Sequence, residues 1–320
     1  MAEPEPSAPL LAFRSIADIP FARAYALDPD ALREVAGVNR ISELTTKNVV
    51  VLDSLRALAA TTPEEFYGVD DSAEALGSAL SMAVANRHLL WLSVLPVSDV
   101  DPVRRLLGEG LVHRVGREVD VDKHSPDSLR ERGEAVVPVA VSPAALVDAW
   151  AHGSAAQRDL LAYMADGADT LVMEPGILDN LRRVGARLVE RSRLVRFLAN
   201  PKVIAYLVIL VYSSLRALPV VFVPGFSGNV WVLWAIDILT AIPYTWGIIE
   251  LFAGRSLARR MLGLAVTLVT FISPYVYFWL NGSGYPGWVV ALVGALIAGS
   301  FAVEYLRWLR NRTVRAVLAS

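Results

Sequence analysis

The sequence predicts an α-helical protein, in which a bundle of four transmembrane helices follows a mainly helical cytoplasmic domain with one small β-hairpin. Three observations lead to this fold class. The chain of 320 residues is 54% hydrophobic, its mean hydropathy is +0.44, and its charges are distributed unevenly. Residues 1–200 carry 29 of the 32 acidic side chains, whereas residues 201–320 carry 3 acidic and 9 basic ones. Such a shift in composition indicates a domain boundary near residue 200.

The N-terminal part of the chain is predicted to stay in the cytoplasm. Residues 1–10, "MAEPEPSAPL", are acidic and proline-rich, and they lack the basic and apolar regions of a signal peptide. We therefore expect these ten residues to be disordered and residues 11–175 to form the cytoplasmic domain. Within it, Thr62, Ser142 and Ser154 are typical N-terminal caps of helices. Further helices are predicted over 28–37, 41–60, 72–92 and 101–108.

The hairpin is predicted in "LVHRVGREVDVD", where two alternating runs flank Gly116 and Arg117. Its second strand places four polar side chains on one face, which indicates either a solvent-facing edge or a site for a divalent metal. They are Glu118, Asp120, Asp122 and His124. The solvent-facing edge is the commoner arrangement, and the chain has no cysteine and no nucleotide-binding or catalytic motif. The sequence therefore predicts no metal site, no cofactor and no catalytic residue.

Nucleic-acid binding is not favoured by the charge of the cytoplasmic domain. Residues 1–174 carry 27 acidic and 15 basic side chains, whereas a protein that binds DNA needs a basic surface to neutralise phosphates. A strongly basic segment lies directly before the predicted membrane domain, in residues 176–200. Its apolar residues recur at helical spacing, so a basic amphipathic helix is predicted there. Its arginines are Arg182, Arg183, Arg187, Arg191, Arg193 and Arg196.

Two interpretations of this basic helix remain open. A basic amphipathic helix beside a membrane span is typical of a segment that lies on the anionic inner leaflet. Alternatively, it is a connector that packs its apolar side on the cytoplasmic domain and leaves its arginines in water. Its position directly before the first span favours contact with lipid.

Four apolar segments are long enough to cross a bilayer, at about 203–223, 229–253, 261–280 and 287–306, and together they make up a transmembrane domain over 201–306. The connections alternate between basic segments and segments without charge, which is the positive-inside pattern. The basic residues precede the first span, follow the second and follow the fourth. Both termini are therefore predicted on the cytoplasmic side of the cell membrane, with residues 307–320 as a basic cytoplasmic tail.

Arg216 lies inside the first span, where an arginine is costly unless it is paired. Asp237 lies inside the second span, and each residue is about seven positions from the external end of its helix. Since the two spans are antiparallel neighbours, the sequence predicts an ion pair between Arg216 and Asp237. The pair either fixes the register of the two helices or belongs to a gate or an ion-handling site. Glu250 and Glu304, near the internal ends, are predicted to form interfacial salt bridges.

A polar stripe follows helical spacing along the first three spans. Its hydroxyl groups either hydrogen-bond across the bundle or line a hydrated pocket. The stripe consists of Ser213, Thr240, Tyr244, Thr267, Thr270 and Tyr277.

The fourth span instead carries a ridge of small residues, whose spacing is typical of a close helix–helix contact. The ridge consists of Gly287, Ala291, Ala295 and Gly299. Its partner is either another span of the same chain or a second copy of the protein.

These features favour a non-enzymatic membrane scaffold or regulator whose cytoplasmic domain recruits or senses a partner. An alternative is a small oligomeric transporter or channel that uses Arg216 and Asp237, and a third is a lipid-modifying enzyme. The expected partners are anionic lipids of the inner leaflet, together with another protein or a second copy. Only three of the thirty basic residues are lysines, which is typical of a GC-rich, bacterial genome.

The alternation of basic and uncharged connections predicts the result of reporter fusions. Fusions at Ser227 and Ser283 are expected to report an external position, and fusions at Arg255 and Ser320 an internal one. A reversed signal at any of these four positions would contradict the four-span topology.

Overall fold

A computed structural model describes residues 15–120, 133–171, 173–216, 227–254, 256–281 and 287–318. It is 68% helical and divides into two compact units. The first, which we call the N-terminal unit, comprises Met1–Arg191 together with Leu309–Ser320. The second, the helical unit, comprises Ser192–Trp308.

The N-terminal unit contains a four-stranded mixed sheet. Its strands are β1 (Val49–Val51), β2 (Leu90–Pro96), β3 (His113–Arg114) and β4 (Val136–Val141), in the spatial order β1-β2-β4-β3. β1 is parallel to β2, with Val50 opposite Trp91. β4 is antiparallel to both β2 and β3.

Eight α-helices surround this sheet among the described residues of the N-terminal unit. They are α1 (Pro20–Ala24), α2 (Pro29–Val35), α3 (Pro63–Tyr67), α4 (Asp71–Asn86), α5 (Val100–Leu107), α6 (Pro143–Ala151), α7 (Ala155–Met164) and α8 (Pro175–Arg183). Short 3-10 helices occupy Ile16–Asp18, Ile41–Glu43, Asp53–Ala60 and Val97–Asp99.

The predicted caps begin three of these helices. The hydroxyl of Thr62 accepts a hydrogen bond from the backbone N–H of Glu65, and the Glu65 carboxylate accepts one from the N–H of Thr62. Ser154 and Gln157 form the same reciprocal pair at the start of α7. The hydroxyl of Ser142 caps α6. Each pair satisfies N–H groups that the first turn of a helix leaves without a partner.

The hydrophobic core lies on both faces of the sheet. On one face, Trp91, Leu95 and Val139 pack with helices α3 to α8. On the other face, Leu92 and Ala140 pack with α1, α2 and the segment around Ile41. Every residue of β2 and β4 is buried. Strands covered on both faces are apolar throughout instead of alternating with polar residues.

This burial explains two differences from the sequence prediction. The helix predicted over 41–60 is instead a 3-10 turn, β1 and a second 3-10 helix, and the helix predicted over 72–92 ends at Asn86 before β2. Short apolar runs are compatible with either a buried strand or a buried helix, and pairing with a neighbouring strand decides between them.

The predicted hairpin around Gly116 is not present in the described residues. β3 pairs with β4, and Val119 also bridges to Val136 at the other end of β4. Both arms of the expected hairpin therefore pair with the same strand, β4, instead of with each other. Asp122 and His124 are outside the described residues.

The helical unit consists of α9 (Arg193–Leu198), α10 (Pro201–Arg216), α11 (Val230–Ala253), α12 (Leu257–Leu280) and most of α13 (Gly287–Leu318). Three helices are long and apolar enough to cross a membrane: Val230–Ala253, Leu257–Tyr277 and Val290–Leu318. In the first predicted span, the described apolar helix extends over Pro201–Leu215 and is shorter than a full span. The remainder of that span is outside the described residues.

A very close helix–helix contact lies between α11 and α12, at Gly247 and Gly263. A Cβ atom added at Gly263 would lie 2.6 Å from the backbone oxygen of Gly247 and 2.6 Å from the nitrogen of Leu251. Such distances leave no room for any side chain, so glycine at both positions allows the two backbones to touch. The small-residue contact in the described bundle therefore involves α11 and α12.

The ridge predicted on the fourth span has a different environment. All four of its residues, Gly287, Ala291, Ala295 and Gly299, are exposed. A Cβ added at Gly287 or Gly299 would meet no other atom within 4 Å. Among the described residues, no other span of the chain packs against this ridge.

Residues 309–318, predicted to be part of a tail, are instead the last turns of α13 and belong to the N-terminal unit. Val314 is 5% exposed and Leu318 is fully buried, in the same cluster as Leu32 and Ile41. The C-terminal end of a membrane-length helix thus completes one face of the N-terminal core.

The backbone contact between α11 and α12 predicts opposite outcomes for two glycine substitutions. Gly263→Ala is expected to lower the stability of the detergent-solubilised protein by about 1–3 kcal/mol, because the added methyl forces the helices apart. Gly294→Ala is the matched control, since its Cβ meets nothing within 4 Å and alanine favours the helix. Thermal unfolding followed by circular dichroism measures both. Equal stability of the two variants would contradict the close contact.

Candidate functional site: a polar cavity in the helical unit

A cavity of about 200 Å³ lies inside the helical unit and is lined by residues of α10, α11, α12 and α13. Among the described lining residues, Asp237 from α11 is the only acidic one, and it is 3% exposed. Four members of the polar stripe also line it: Ser213, Thr240, Tyr244 and Thr270. The helical spacing in the sequence and the packing of three helices therefore converge on one cavity with a mixed polar and apolar lining.

The hydroxyl groups of the cavity are held by their own helices. The hydroxyl of Thr240 donates to the carbonyl of Ile236 at 2.7 Å, and that of Thr270 donates to the carbonyl of Val266 at 2.7 Å. With their protons used in this way, these oxygens present lone pairs to other groups. Pro274 has no N–H to donate to the carbonyl of Thr270 four residues earlier. The walls are thus rich in hydrogen-bond acceptors.

The aromatic lining of the cavity was not predicted from the sequence. Tyr212, Phe271 and Tyr275 line it beside the polar residues, and Leu292 from α13 contributes an apolar side chain. The rings of Phe271 and Tyr275 lie 5.4 Å apart. The polar stripe predicted from the sequence does not include these three aromatic residues.

Two members of the stripe lie outside the cavity lining. Thr267 is 1% exposed and faces Gly247 at the α11–α12 contact, where its hydroxyl donates to the carbonyl of Gly263. The hydroxyl of Tyr277 accepts a hydrogen bond from the backbone N–H of Asn229 at 3.1 Å. Both side chains therefore join α12 to α11 rather than facing the cavity.

Arg216 is the last residue of α10, and its side chain is outside the described part of the structure. Ser213 lies three residues earlier on the same helix and lines the cavity with Asp237. The end of α10 thus reaches the level of Asp237. The ion pair between Arg216 and Asp237 stays a prediction, which this placement of the two helices supports.

The composition of the cavity indicates which species it suits. A carboxylate, threonine oxygens and tyrosine hydroxyls favour a cation, a proton or a small hydrogen-bond donor. A volume of about 200 Å³ is below the roughly 300–1,000 Å³ of typical drug-sized ligand sites. The cavity therefore suits water, an ion or the guanidinium group of a neighbouring arginine.

A charged cluster lies near the other end of α11. Arg260 is 6% exposed, and its guanidinium donates to the carbonyl of Gly254 at 2.9 Å and to the carboxylate of Glu304 at 3.0 Å. Arg307 donates to the carbonyl of Phe252 and lies 3.7 Å from the same carboxylate. The salt bridge predicted for Glu304 is present. This salt bridge joins α13 to the start of α12, and the hydrogen bond from Arg307 joins α13 to the end of α11.

The basic segment 176–200 is not one helix. α8 ends at Arg183, α9 begins at Arg193, and between them Val189 pairs with Asp169 in an isolated bridge. Gly185 has a φ of +80°, in the left-handed region that breaks a helix and favours glycine. The continuous amphipathic stripe predicted from the sequence is therefore interrupted.

Several arginines of this segment bind acidic or polar partners within the N-terminal unit. Arg182 donates to Glu190 at 2.6 Å, and Arg191 donates to Asp169 at 2.6 Å. The guanidinium of Arg191 also holds the pKa of Asp169 below its usual value through a hydrogen bond.

Arg183 contacts His152 and Asn180, whereas Arg187 is exposed. The side chains of Arg193 and Arg196 are outside the described residues. The arginines of α8 and of the segment that follows it thus belong to the surface of the N-terminal unit, and the remaining basic positions lie next to α10.

An ion pair joins the C-terminal turns of α13 to α2. Arg315 donates to both carboxylate oxygens of Asp30, at 2.9 and 3.4 Å. Its hydrogen bond and charge hold the pKa of Asp30 below the ordinary value of 3.8. A lowered pKa means that the pair stabilises the folded unit at neutral pH, and that this contribution is lost as the pH falls through the lowered value.

Among the described residues, no group of three histidine, aspartate or glutamate side chains is placed to hold a metal ion. Of the four polar side chains on the second strand of the predicted hairpin, Glu118 and Asp120 lie within the described residues. Glu118 pairs with Arg114 at 3.3 Å.

These observations define a class of protein. Three helices long and apolar enough to span a membrane, packed around a polar cavity, indicate a multi-pass membrane protein. Its N-terminal unit is a mixed sheet covered by helices on both faces. No family model, curated protein or solved structure matches the chain.

The buried position of Asp237 predicts a specific pattern in a double-mutant cycle with Arg216. Arg216→Leu and Asp237→Leu are each expected to destabilise the detergent-solubilised protein by about 3–5 kcal/mol, because each leaves one charge uncompensated in the bundle. The double variant is expected to recover much of that loss. Thermal unfolding of all four proteins measures the coupling.

The matched control combines Arg216→Leu with Glu250→Leu, at the opposite end of α11 and about 20 Å from Asp237 along the helix. Effects of distant substitutions add. If the Arg216 and Asp237 effects add in the same way, the two side chains do not interact.

Proposed function

We propose that this protein is a membrane-anchored regulator whose N-terminal unit recruits or senses a partner in the cytoplasm. A bundle of four spans, with both termini on the cytoplasmic side of the cell membrane, is its anchor and transducer. The observation that carries the proposal is the dual role of α13. One continuous helix from Gly287 to Leu318 contributes residues to the helical unit and to the core of the N-terminal unit.

The contacts at the end of α13 support a regulatory role. Leu318 is fully buried, Val314 is 5% exposed, and Arg315 pairs with Asp30. A simple anchor requires only a flexible connection between membrane and domain. A terminal helix inserted into the domain core instead links the stability of that domain to the position of α13, and such a link is the physical requirement for transmitting a signal.

A second candidate function is a small transporter or channel, and the cavity around Asp237 favours it. A buried carboxylate among hydroxyl groups inside a helical bundle is typical of ion and proton pathways. This function requires the charges themselves. The double variant Arg216→Leu with Asp237→Leu is then expected to fold and yet to lose ion or proton flux in proteoliposomes, whereas a regulator produces no flux in any of the variants.

The regulatory function predicts that releasing α13 changes partner binding. Leu318→Asp places a charge in the apolar core and is expected to unfold residues 309–318 from the N-terminal unit, because a buried unpaired charge costs several kcal/mol. Hydrogen exchange of the full-length protein in membranes measures the release. Chemical crosslinking of the tagged protein in its native membranes, read by mass spectrometry, then measures the partners.

The matched control is Val317→Asp, at a neighbouring residue that is 42% exposed. It is expected to leave both the protection of residues 309–318 and the crosslinked partners as in the wild type. The proposal is supported when Leu318→Asp loses or gains a crosslinked partner, while the wild type and Val317→Asp crosslink to the same set of partners. Identical crosslinking patterns in all three proteins, with residues 309–318 released in one of them, would refute it.

A further inference from the structure

An apolar groove lies on the surface of the helical unit, between α9, α10 and α11. Its volume is about 330 Å³, and its lining is almost entirely hydrophobic. The lining residues are Phe197, Val203, Tyr206, Leu207, Leu210, Ala241 and Ile242. It is separate from the polar cavity around Asp237, and Ala241 is the one residue common to both linings.

From this groove and the charges beside it, we infer a binding site for one acyl chain of an anionic membrane phospholipid. Phe197 at the end of α9 and Val203 at the start of α10 line one end of the groove. The wall continues along α10 to Leu210, a distance of about 10 Å at the 1.5 Å rise per residue of a helix. An extended hydrocarbon chain fits such a channel, since it needs apolar contact along its length and no hydrogen bonds.

Charge complementarity determines the headgroup. The end of the groove at Phe197 lies within residues 193–202, which carry three basic side chains and no acidic one: Arg193, Arg196 and Lys202. No acidic residue occurs anywhere between Glu190 and Asp237. Lys202 is exposed, one position before the groove-lining Val203. A lipid phosphate at this end meets positive charge, and each nearby basic residue favours an anionic headgroup.

α9 supplies the remaining surface for the lipid. Leu194 and Phe197 are 67% and 56% exposed, although both are large apolar side chains on a helix of six residues. Apolar side chains beside a membrane span are stabilised when they enter the boundary between headgroups and acyl chains. The short helix α9 therefore lies at the headgroup level, where it borders the entrance of the groove.

This inference does not depend on the proposed function, because the groove belongs to the helical unit in a regulator or a transporter alike. It also differs from general solvation by lipid. Convex apolar surfaces exchange their lipids freely, whereas a concave groove with walls on three elements holds one chain in a fixed place. The distinction can be measured residue by residue.

The test uses full-length protein in vesicles that contain a phospholipid with a photoreactive diazirine on its acyl chain. One preparation carries a phosphatidylglycerol probe and the other a phosphatidylcholine probe. Labelled residues are mapped by mass spectrometry. We expect labelling concentrated at Leu207, Leu210 and Ile242 in the groove, and stronger with phosphatidylglycerol. Equal labelling of the outward-facing Val208, Val211 and Leu239 would overturn the site.

Two pairs of variants separate the groove from the charge. Leu207→Trp fills the groove and is expected to abolish its labelling, whereas Val208→Trp, on the adjacent outward face, is expected to preserve it. Lys202→Ala is expected to reduce the preference for phosphatidylglycerol about fivefold, equivalent to about 1 kcal/mol, and Lys202→Arg to retain it. Groove labelling without any headgroup preference in the wild type would refute the anionic lipid. Unchanged labelling in Leu207→Trp would refute the groove.

Discussion

The backbone contact between α11 and α12 at Gly247 and Gly263 sets the geometry of the helical unit. Without hydrophobic driving force inside a membrane, helices associate through close packing and hydrogen bonds, and small residues allow both. The two helices make the most extensive helix–helix contact among the described elements. Thr267 is buried against Gly247 at the same crossing. Asp237 precedes Gly247 on α11, and Thr270 follows Gly263 on the antiparallel α12, so both residues lie on the same side of this contact. Their positions therefore follow from it.

Polar groups in the helical unit are distributed at two levels. At one level, a carboxylate and several hydroxyls surround a small cavity; at the other, Arg260 and Glu304 form a salt bridge that also caps the carbonyl of Gly254. Both arrangements follow from the same constraint. In an apolar environment, every polar group must find a partner within the protein or in enclosed water. At the level of Arg260, the guanidinium binds Glu304 and the carbonyl of Gly254, whereas the cavity around Asp237 leaves space for water or an ion.

α13 relates the two units of the molecule through covalent continuity. Its small-residue ridge is exposed, so its described contacts are concentrated toward its C-terminal half, at Glu304 and Arg307 and then at Val314 and Leu318. A helix held mainly at one end is suited to respond to changes along the rest of its length. The burial of Val314 and Leu318 explains why residues 309–318 are ordered as helix.

The sequence by itself determined the features that depend on local composition and periodicity. These include three membrane-length apolar helices, the caps at Thr62, Ser142 and Ser154, and the polar stripe of which four members line one cavity. Length, capping chemistry and helical spacing are properties of neighbouring residues, so a single chain displays them directly.

Tertiary structure alone decided the features that depend on distant residues. β2 and β4 are apolar runs that pair with each other and are buried on both faces, and nothing local distinguishes them from buried helices. The break at Gly185 divided the predicted basic helix, and two of its arginines bind partners outside the segment: Arg183 contacts His152 and Arg191 pairs with Asp169. Leu318 packs in the same core cluster as Leu32 and Ile41, which precede it by more than 270 residues in the chain. Packing selects such partners by shape and burial, which a one-dimensional pattern does not contain.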